Sequence, residues 1–205
     1  MIRVQLQGDR PHLYPKGTTW EAIAEQSESR RLSTSPIMGV ESGHQLHELS
    51  ETVKQDEEGR LIDLTDLEGY RIYVRTLTYL MIACSQKVLG QDKRVILLHS
   101  LGGNLYSEIR LGEETLTISG QQIEKIKQTM QQMVEQNVPI RKQPYLLSDA
   151  LLYFEKDRRS DKLSLLHYRT SSHVNLYELE DEKDYFYGGM LPSVGKLKWF
   201  DLQPY

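Results

Sequence analysis

Ile2, Val4 and Leu6 alternate with polar residues, the period-two signature of a half-buried strand, and Gly8-Asp9 marks a turn after them. Residues 12–14 read as the returning strand, closed by Pro15-Lys16-Gly17. Thr18 or Thr19 is placed to cap a short helix over residues 20–26, with Glu21 in its first turn, where the helix dipole favours an acid. After a polar stretch at 27–35, three short strands are predicted over 37–40, 45–49 and 60–64. The last follows a polar turn, Asp56-Glu57-Glu58-Gly59. Residues 66–70 read as a polar joint, and beyond it the period changes. Leu77, Leu80, Met81, Cys84 and Val88 have helical spacing within a helix predicted over 78–89, and Gly90 stops it. Residues 94–99 and 104–110 resemble two strands around Leu101-Gly102-Gly103, which reads as a hairpin turn.

The clearest local signal follows. Ser119 opens a capping box with Gln122, and Ile118 can staple onto Ile123. Ile123, Ile126, Met130, Met133 and Val134 then share one helical face, until Asn137 and Pro139 end the helix. The methionine pair on that face reads as core. Two shorter helices are predicted over 148–156 and 160–168, and strands over 174–179, 185–187 and 197–202. The fold class is α+β.

Composition changes this picture in three ways. Of twelve tyrosines only Tyr14 precedes Tyr70, which separates the chain into two unlike parts. Twenty-five Lys and Arg against 29 Asp and Glu give a net charge of −4, so the surface as a whole is not built to track nucleic-acid phosphates. The single cysteine, Cys84, excludes an intramolecular disulfide framework and an all-cysteine zinc cage. The apolar runs are far short of the ~18 residues of a membrane span, and the first residues have no signal-peptide core. No membrane partner and a cytoplasmic setting are expected.

Candidate chemistry is sparse. His44 and His47, with Glu48 adjacent, have a spacing that a metal could use, but no thiolate is near and a structural or solvated role is favoured. Cys84 lies on an apolar helix face and reads as a small buried hydrophobe. Gly189 to Lys196 looks a little like a P-loop, yet five residues separate its glycines, Leu197 stands where a Mg²⁺-binding hydroxyl is needed, and a strand follows. Arg141-Lys142 and Arg158-Arg159 with Lys162 are interleaved with acids and read as a solvated face. Tyr185-Phe186-Tyr187-Gly188-Gly189-Met190 is the densest aromatic cluster, a core strand with a turn or the lining of a small-molecule pocket.

With these elements placed, the chain resembles the front of bacterial threonyl-tRNA synthetases. Residues 1–65 are similar to the TGS domain, a ubiquitin-like β-grasp, through the early strand–turn–strand, Pro15 to Trp20 and Val40 to Leu49. Residues 66–70 would be the linker. Residues 71–205 are similar to the second additional domain, which removes mischarged amino acids from tRNA. That editing fold carries an H-x-x-x-H run and a C-x-x-x-H run, whose i, i+4 spacing puts two ligands on one helical face. Aligning on Arg75, Asp184, Gly188 and Pro192 puts Thr76, Leu80, Phe186 and Met190 at those positions, so the resemblance implies a retained fold without the metal site.

The same pair of domains resembles the front of a bacterial nucleoside (uridine) kinase family, through Glu68-Gly69, Tyr73 and Arg75, His99-Ser100-Leu101-Gly102, Asp184 to Gly188 and Phe200-Asp201-Leu202. This implies a non-catalytic regulatory or ligand-binding module, with no catalytic residue, no metal and no cofactor in this segment. ATP and Mg²⁺ would belong to a downstream kinase domain, opened by a P-loop after Tyr205. The expected ligand is a small molecule or nucleotide, bound by His99, Tyr106, Glu108, Tyr185 and Tyr187; tRNA is allowed but not favoured. The alternative is a synthetase region acting on mischarged tRNA.

Overall fold

The computed structural model describes residues 1–101 and 103–205, without the side chains of Leu32 and Leu101. The hairpin turn expected at Leu101-Gly102-Gly103 therefore falls partly outside the described residues, although the strands on either side of it are paired. The architecture is mixed α+β with three sheets.

The first sheet has the order β2-β1-β5-β3-β4, formed by β1 (Ile2–Leu6), β2 (His12–Tyr14), β3 (Ile37–Ser42), β4 (Gln45–Glu48) and β5 (Glu57–Asp63). β1 runs parallel to β5, with Val4 opposite Glu57, while the other pairs are antiparallel. The alternation of β1 is realised: Ile2, Val4 and Leu6 are buried, and their neighbours face solvent. Thr19 caps α1 (Trp20–Gln26), accepting from the Ala22 N–H at 3.3 Å. The polar stretch that follows contains an unforeseen helix, α2 (Glu28–Leu32). Ser27 ends α1 and caps α2 at once, and its hydroxyl donates to Asp9 at 2.6 Å. Burial pushes the Asp9 carboxyl up, but hydrogen bonds from Ser27 and Ser29 outweigh it and hold it below its ordinary value.

α3 (Leu67–Leu89) begins eleven residues earlier than its apolar spacing predicts, so the expected joint at 66–70 is the first turn of a 23-residue helix. The reason lies at its start. Asp66 is the N-cap, its carboxylate accepting from Arg60 (3.0 Å) and the Asp63 N–H (3.1 Å), and Gly69 lets the first turn press against the end of β5. α3 is the axis of the molecule. One apolar cluster runs from Ile2 and Val40 of the first sheet and Leu49 just after β4, through Ile72, Tyr79 and Cys84 of α3, to Met190 and Leu197.

α4 (Gly120–Glu135) packs on α3 through Ile126, Met130 and Met133, and its capping box forms in both directions. The second sheet, β6 (Arg94–Leu101), β7 (Asn104–Leu111) and β8 (Glu114–Leu116), is an antiparallel meander. The third has the order β11-β10-β9, from β9 (Ile140–Leu146), β10 (His173–Leu179) and β11 (Glu182–Asp184). A second apolar cluster joins that sheet to α5 (Leu147–Lys156) and α6 (Ser160–His167) through Phe154, Leu166, Leu176 and Tyr185.

Two strand expectations give way. Residues 185–187 leave the sheet after β11, and 197–202 form no strand; Val194–Lys196 is a single 3-10 turn. The segment before that turn instead bonds to the start of β9, the Ile140 N–H donating to Pro192 O (2.8 Å) and the Val194 N–H to Val138 O (3.0 Å). Among the described residues, no helix is long and apolar enough to cross a membrane.

Candidate functional site

Three groups of side chains meet where α3, the third sheet and the segment after β11 converge. The first occupies the four positions where the editing fold would carry its ligands. Thr76, Leu80 and Met190 have no exposed surface, and Phe186 packs on the main core with its ring 5.2 Å from that of Tyr79. Thr76 is fully engaged: its hydroxyl donates to Ile72 O (2.7 Å) and accepts from the Leu191 N–H (3.2 Å). It thereby ties the helix to the strap at 190–191, its proton committed to a backbone carbonyl rather than to a base. All four positions lie in or against packed interior.

The second group is polar and was not foreseen. Glu48, at the end of β4, is 5% exposed. Its Oε1 accepts from the Tyr177 hydroxyl (2.6 Å) and from Lys142 Nζ (2.6 Å). Lys142 also reaches Glu51 at 3.5 Å, and Glu51 in turn pairs with His47 Nδ1 at 2.9 Å. Burial works against the Lys142 charge, but Glu48 and Glu51 outweigh it and hold the ammonium above its usual range. Burial, reinforced by Glu48, pushes the Tyr177 phenol up, so Tyr177 stays a donor. Arg75 closes the group by donating to Gly189 O at 2.5 Å, and burial pulls its guanidinium down. Only glycine fits the loop here. Gly188 has φ +105°, and a Cβ on it would lie 2.8 Å from the Arg75 guanidinium; one on Gly189 would lie 2.9 Å from Glu48 Cγ.

The third group corrects the solvated-face reading of the basic runs. Arg141 and Arg158 are exposed as expected, but Arg159 and Lys162 are 7% and 9% exposed, and Lys142 is half-buried. Asp184, at 1% exposure, accepts from Arg159 Nη2 and from Lys162 Nζ, both at 2.9 Å. Lys162 also donates to Tyr185 O (2.8 Å) and stands 4.6 Å above the Phe186 ring. Interleaved acids are what a buried network requires as much as what a wet surface tolerates, so the sequence pattern alone cannot separate the two.

The five residues expected to line a pocket fall into two places. His99 and Tyr106 lie opposite each other across β6 and β7, ring centres 5.2 Å apart, and the Tyr106 ring meets Tyr205 edge-on at 5.1 Å. Glu108 accepts from Arg110 (2.9 Å) and Thr115 (3.1 Å). Tyr185 and Tyr187 instead gather on Arg169, at 5.6 and 5.9 Å from its guanidinium. Tyr185 is buried and Tyr187 is 82% exposed, so the expected aromatic run splits between core and surface. Among the described residues, no hydrogen bond or ring contact joins the hairpin trio to the Arg169 pair.

The remaining candidates are accounted for by other partners. Burial pushes the Cys84 thiol up to about 12, and its sulfur lies 3.4 Å from Met133 Sδ. His47 is taken by Glu51 and by the Trp20 ring, 5.8 Å away, while Glu48 turns to Lys142. Among the described residues, no three His, Cys, Asp or Glu side chains gather as a metal site would need. Lys196, last residue of the P-loop-like run, reaches Ile37 O (3.3 Å) and Glu21 (3.5 Å).

No family model matches the sequence. The chain is similar to threonine–tRNA ligases. It is 24% identical over 202 residues to that of Thermotoga petrophila, covering 98% of this chain and 30% of the relative. With the ligase of Desulforamulus reducens it shares 25% over 199 residues, and with that of Staphylococcus aureus 27% over 202 residues, again 30% of each relative. The chain thus spans about 30% of the length of these curated relatives. They support the synthetase half of the resemblance and lend nothing to the nucleoside-kinase half.

Proposed function

We propose that this chain is a counterpart of the N-terminal part of threonine–tRNA ligases, and that it engages aminoacylated tRNA without a histidine or metal centre of its own. The observation that carries this is similarity to such ligases across 98% of the chain. The order β2-β1-β5-β3-β4, with its parallel central pair, supports the β-grasp (TGS) reading of residues 1–65. Residues 71–205, which begin within α3, take the place of the editing domain. The burial of Thr76, Leu80 and Met190 supports the loss of chemistry there.

The test is binding and turnover on one substrate. Purified chain is titrated into labelled tRNA specific for threonine, and then incubated with that tRNA charged with serine. Salt-sensitive binding with no deacylation above the spontaneous rate is expected. Deacylation that survives Thr76→Ala and Phe186→Ala would sink the non-catalytic part of the reading. No binding at low salt, together with thermal stabilisation by nucleosides or nucleotides, would replace it with the regulatory-module alternative.

A further inference from the structure

The β6–β7–β8 meander carries its apolar residues away from its own chain. Antiparallel pairing sets Val95 opposite Ile109, Leu97 opposite Ser107 and Ile109 opposite Leu116. Val95, Leu97, Leu105, Ile109, Leu111 and Leu116 therefore share one face of the sheet. Arg94, His99, Glu108 and Arg110 belong to the other. This polar face is the one that meets the rest of the molecule: Arg94 donates to Asp157 O at 2.6 Å, just past α5, and the Tyr106 ring meets that of Tyr205. Among the described residues, none of the six apolar side chains joins either core, and Leu97, Leu105 and Leu111 are each at least two-fifths exposed.

A contiguous apolar sheet face in water marks a surface that something covers. Its charges indicate what. The interior of the face holds none, so it offers no cation to nucleic acid and no pattern to a strongly charged protein. Lys93 and Glu114 stand at one end of the sheet on opposite edges, before β6 and at the start of β8. Two copies stacked face to face about a two-fold axis along β7 would lay β6 of each over β8 of the other. Lys93 of each copy then meets Glu114 of the other, twice by symmetry, while the leucines close on one another. Neither charge is held against this. Lys93 pairs with its exposed neighbour Asp92 at 3.0 Å, a contact worth little in water, and Glu114 has no ion pair among the described residues. Strand and residue spacings give a footprint of about 400 Å² per copy, half of the ~800 Å² of a standard interface, so the pairing is weak and concentration-dependent.

We propose that this face of the meander is a self-association surface, joining two copies of the chain sheet to sheet. The test is sedimentation velocity on the full chain across a roughly hundredfold range of concentration. Variants are run beside it, with folding checked by their melting temperatures. The apparent mass of the parent should rise from that of one chain toward that of two, and Leu97→Glu combined with Leu105→Glu should hold it at one. Lys93→Glu should weaken pairing by roughly tenfold, through two lost ion pairs and the repulsion that replaces them. Adding Glu114→Lys should restore it, because the exchanged charges meet in the same geometry. Amide exchange in β6 and β7 should slow as concentration rises, while that of α3 stays unchanged. A parent that remains single at every concentration would overturn the proposal; if the leucine variant then loses tRNA binding, the face belongs to that partner instead. A dimer that survives the leucine variant, or one indifferent to Lys93→Glu, would place the interface elsewhere and overturn it too.

Discussion

At the scale of single residues, the tightest constraint is a missing side chain. A Cβ on Gly69 would lie 1.9 Å from the Asp63 carbonyl oxygen, which is backbone and cannot swing aside. Gly69→Ala must therefore push the first turn of α3 away from β5, and a loss of about 3 kcal/mol, in the upper range for single substitutions, is expected by urea denaturation. A substitution indistinguishable from the parent would mean that α3 does not start against β5. Cys84 gives an independent residue-scale prediction. Its thiol is buried, and its elevated pKa leaves almost no thiolate at pH 8. Labelling by a thiol reagent at pH 8 should therefore follow the rate of opening, and rise to that of a free cysteine in denaturant. Rapid labelling of the folded chain would contradict the packing of α3 on α4.

At the scale of elements, the Glu48–Lys142–Tyr177 group joins β4 of the first sheet to β9 and β10 of the third. Lys142→Met leaves the Glu48 carboxylate buried without its ion-pair partner, with hydrogen bonds only from Tyr177 (2.6 Å) and, at 3.4 Å, Ser50. About 2 kcal/mol of destabilisation is expected, below the ~3–5 of a fully buried pair because the lysine is partly in solvent. Adding Glu48→Gln should recover most of that loss, and a double variant no better than the single one would show that the pair is not coupled. The same elements show what could be read from sequence. β1, β2, α1 and the capped start of α4 were legible because alternation, turn residues and caps are local signals. β9 was not, because Ile140–Leu146 alternates weakly and carries Pro144, and its pairing with β10 spans a separation that no local pattern encodes. The paired positions Thr76, Leu80, Phe186 and Met190 were legible only through a resemblance. Glu48, Lys142 and Tyr177 were illegible, since Arg141-Lys142 among acids reads the same on a surface as at a junction.

At the scale of the whole molecule, the organisation of the core decides how the chain unfolds. A small sheet of about 65 residues is near the lower limit for independent stability. Here its inner face does not close on itself. Val40 and Leu49 belong to the same apolar cluster as Ile72, Met190 and Leu197, and Lys196 hydrogen-bonds to Ile37 O. Removing everything after residue 65 would expose that face and strip Glu48 of Lys142 and Tyr177. The full chain should therefore melt in one transition by calorimetry, with the calorimetric and van't Hoff enthalpies agreeing. The isolated segment 1–65 should show little protected amide hydrogen at neutral pH. The β6–β7–β8 meander is the expected exception: Leu97, Leu98, Leu105 and Leu111 are each 40–47% exposed, so few apolar contacts hold it to either core. Its amides should exchange at lower opening free energies than those of α3. Two resolved melting transitions, with a protected fold in the 1–65 segment, would instead show that the two parts are held together by the Glu48–Lys142 junction alone.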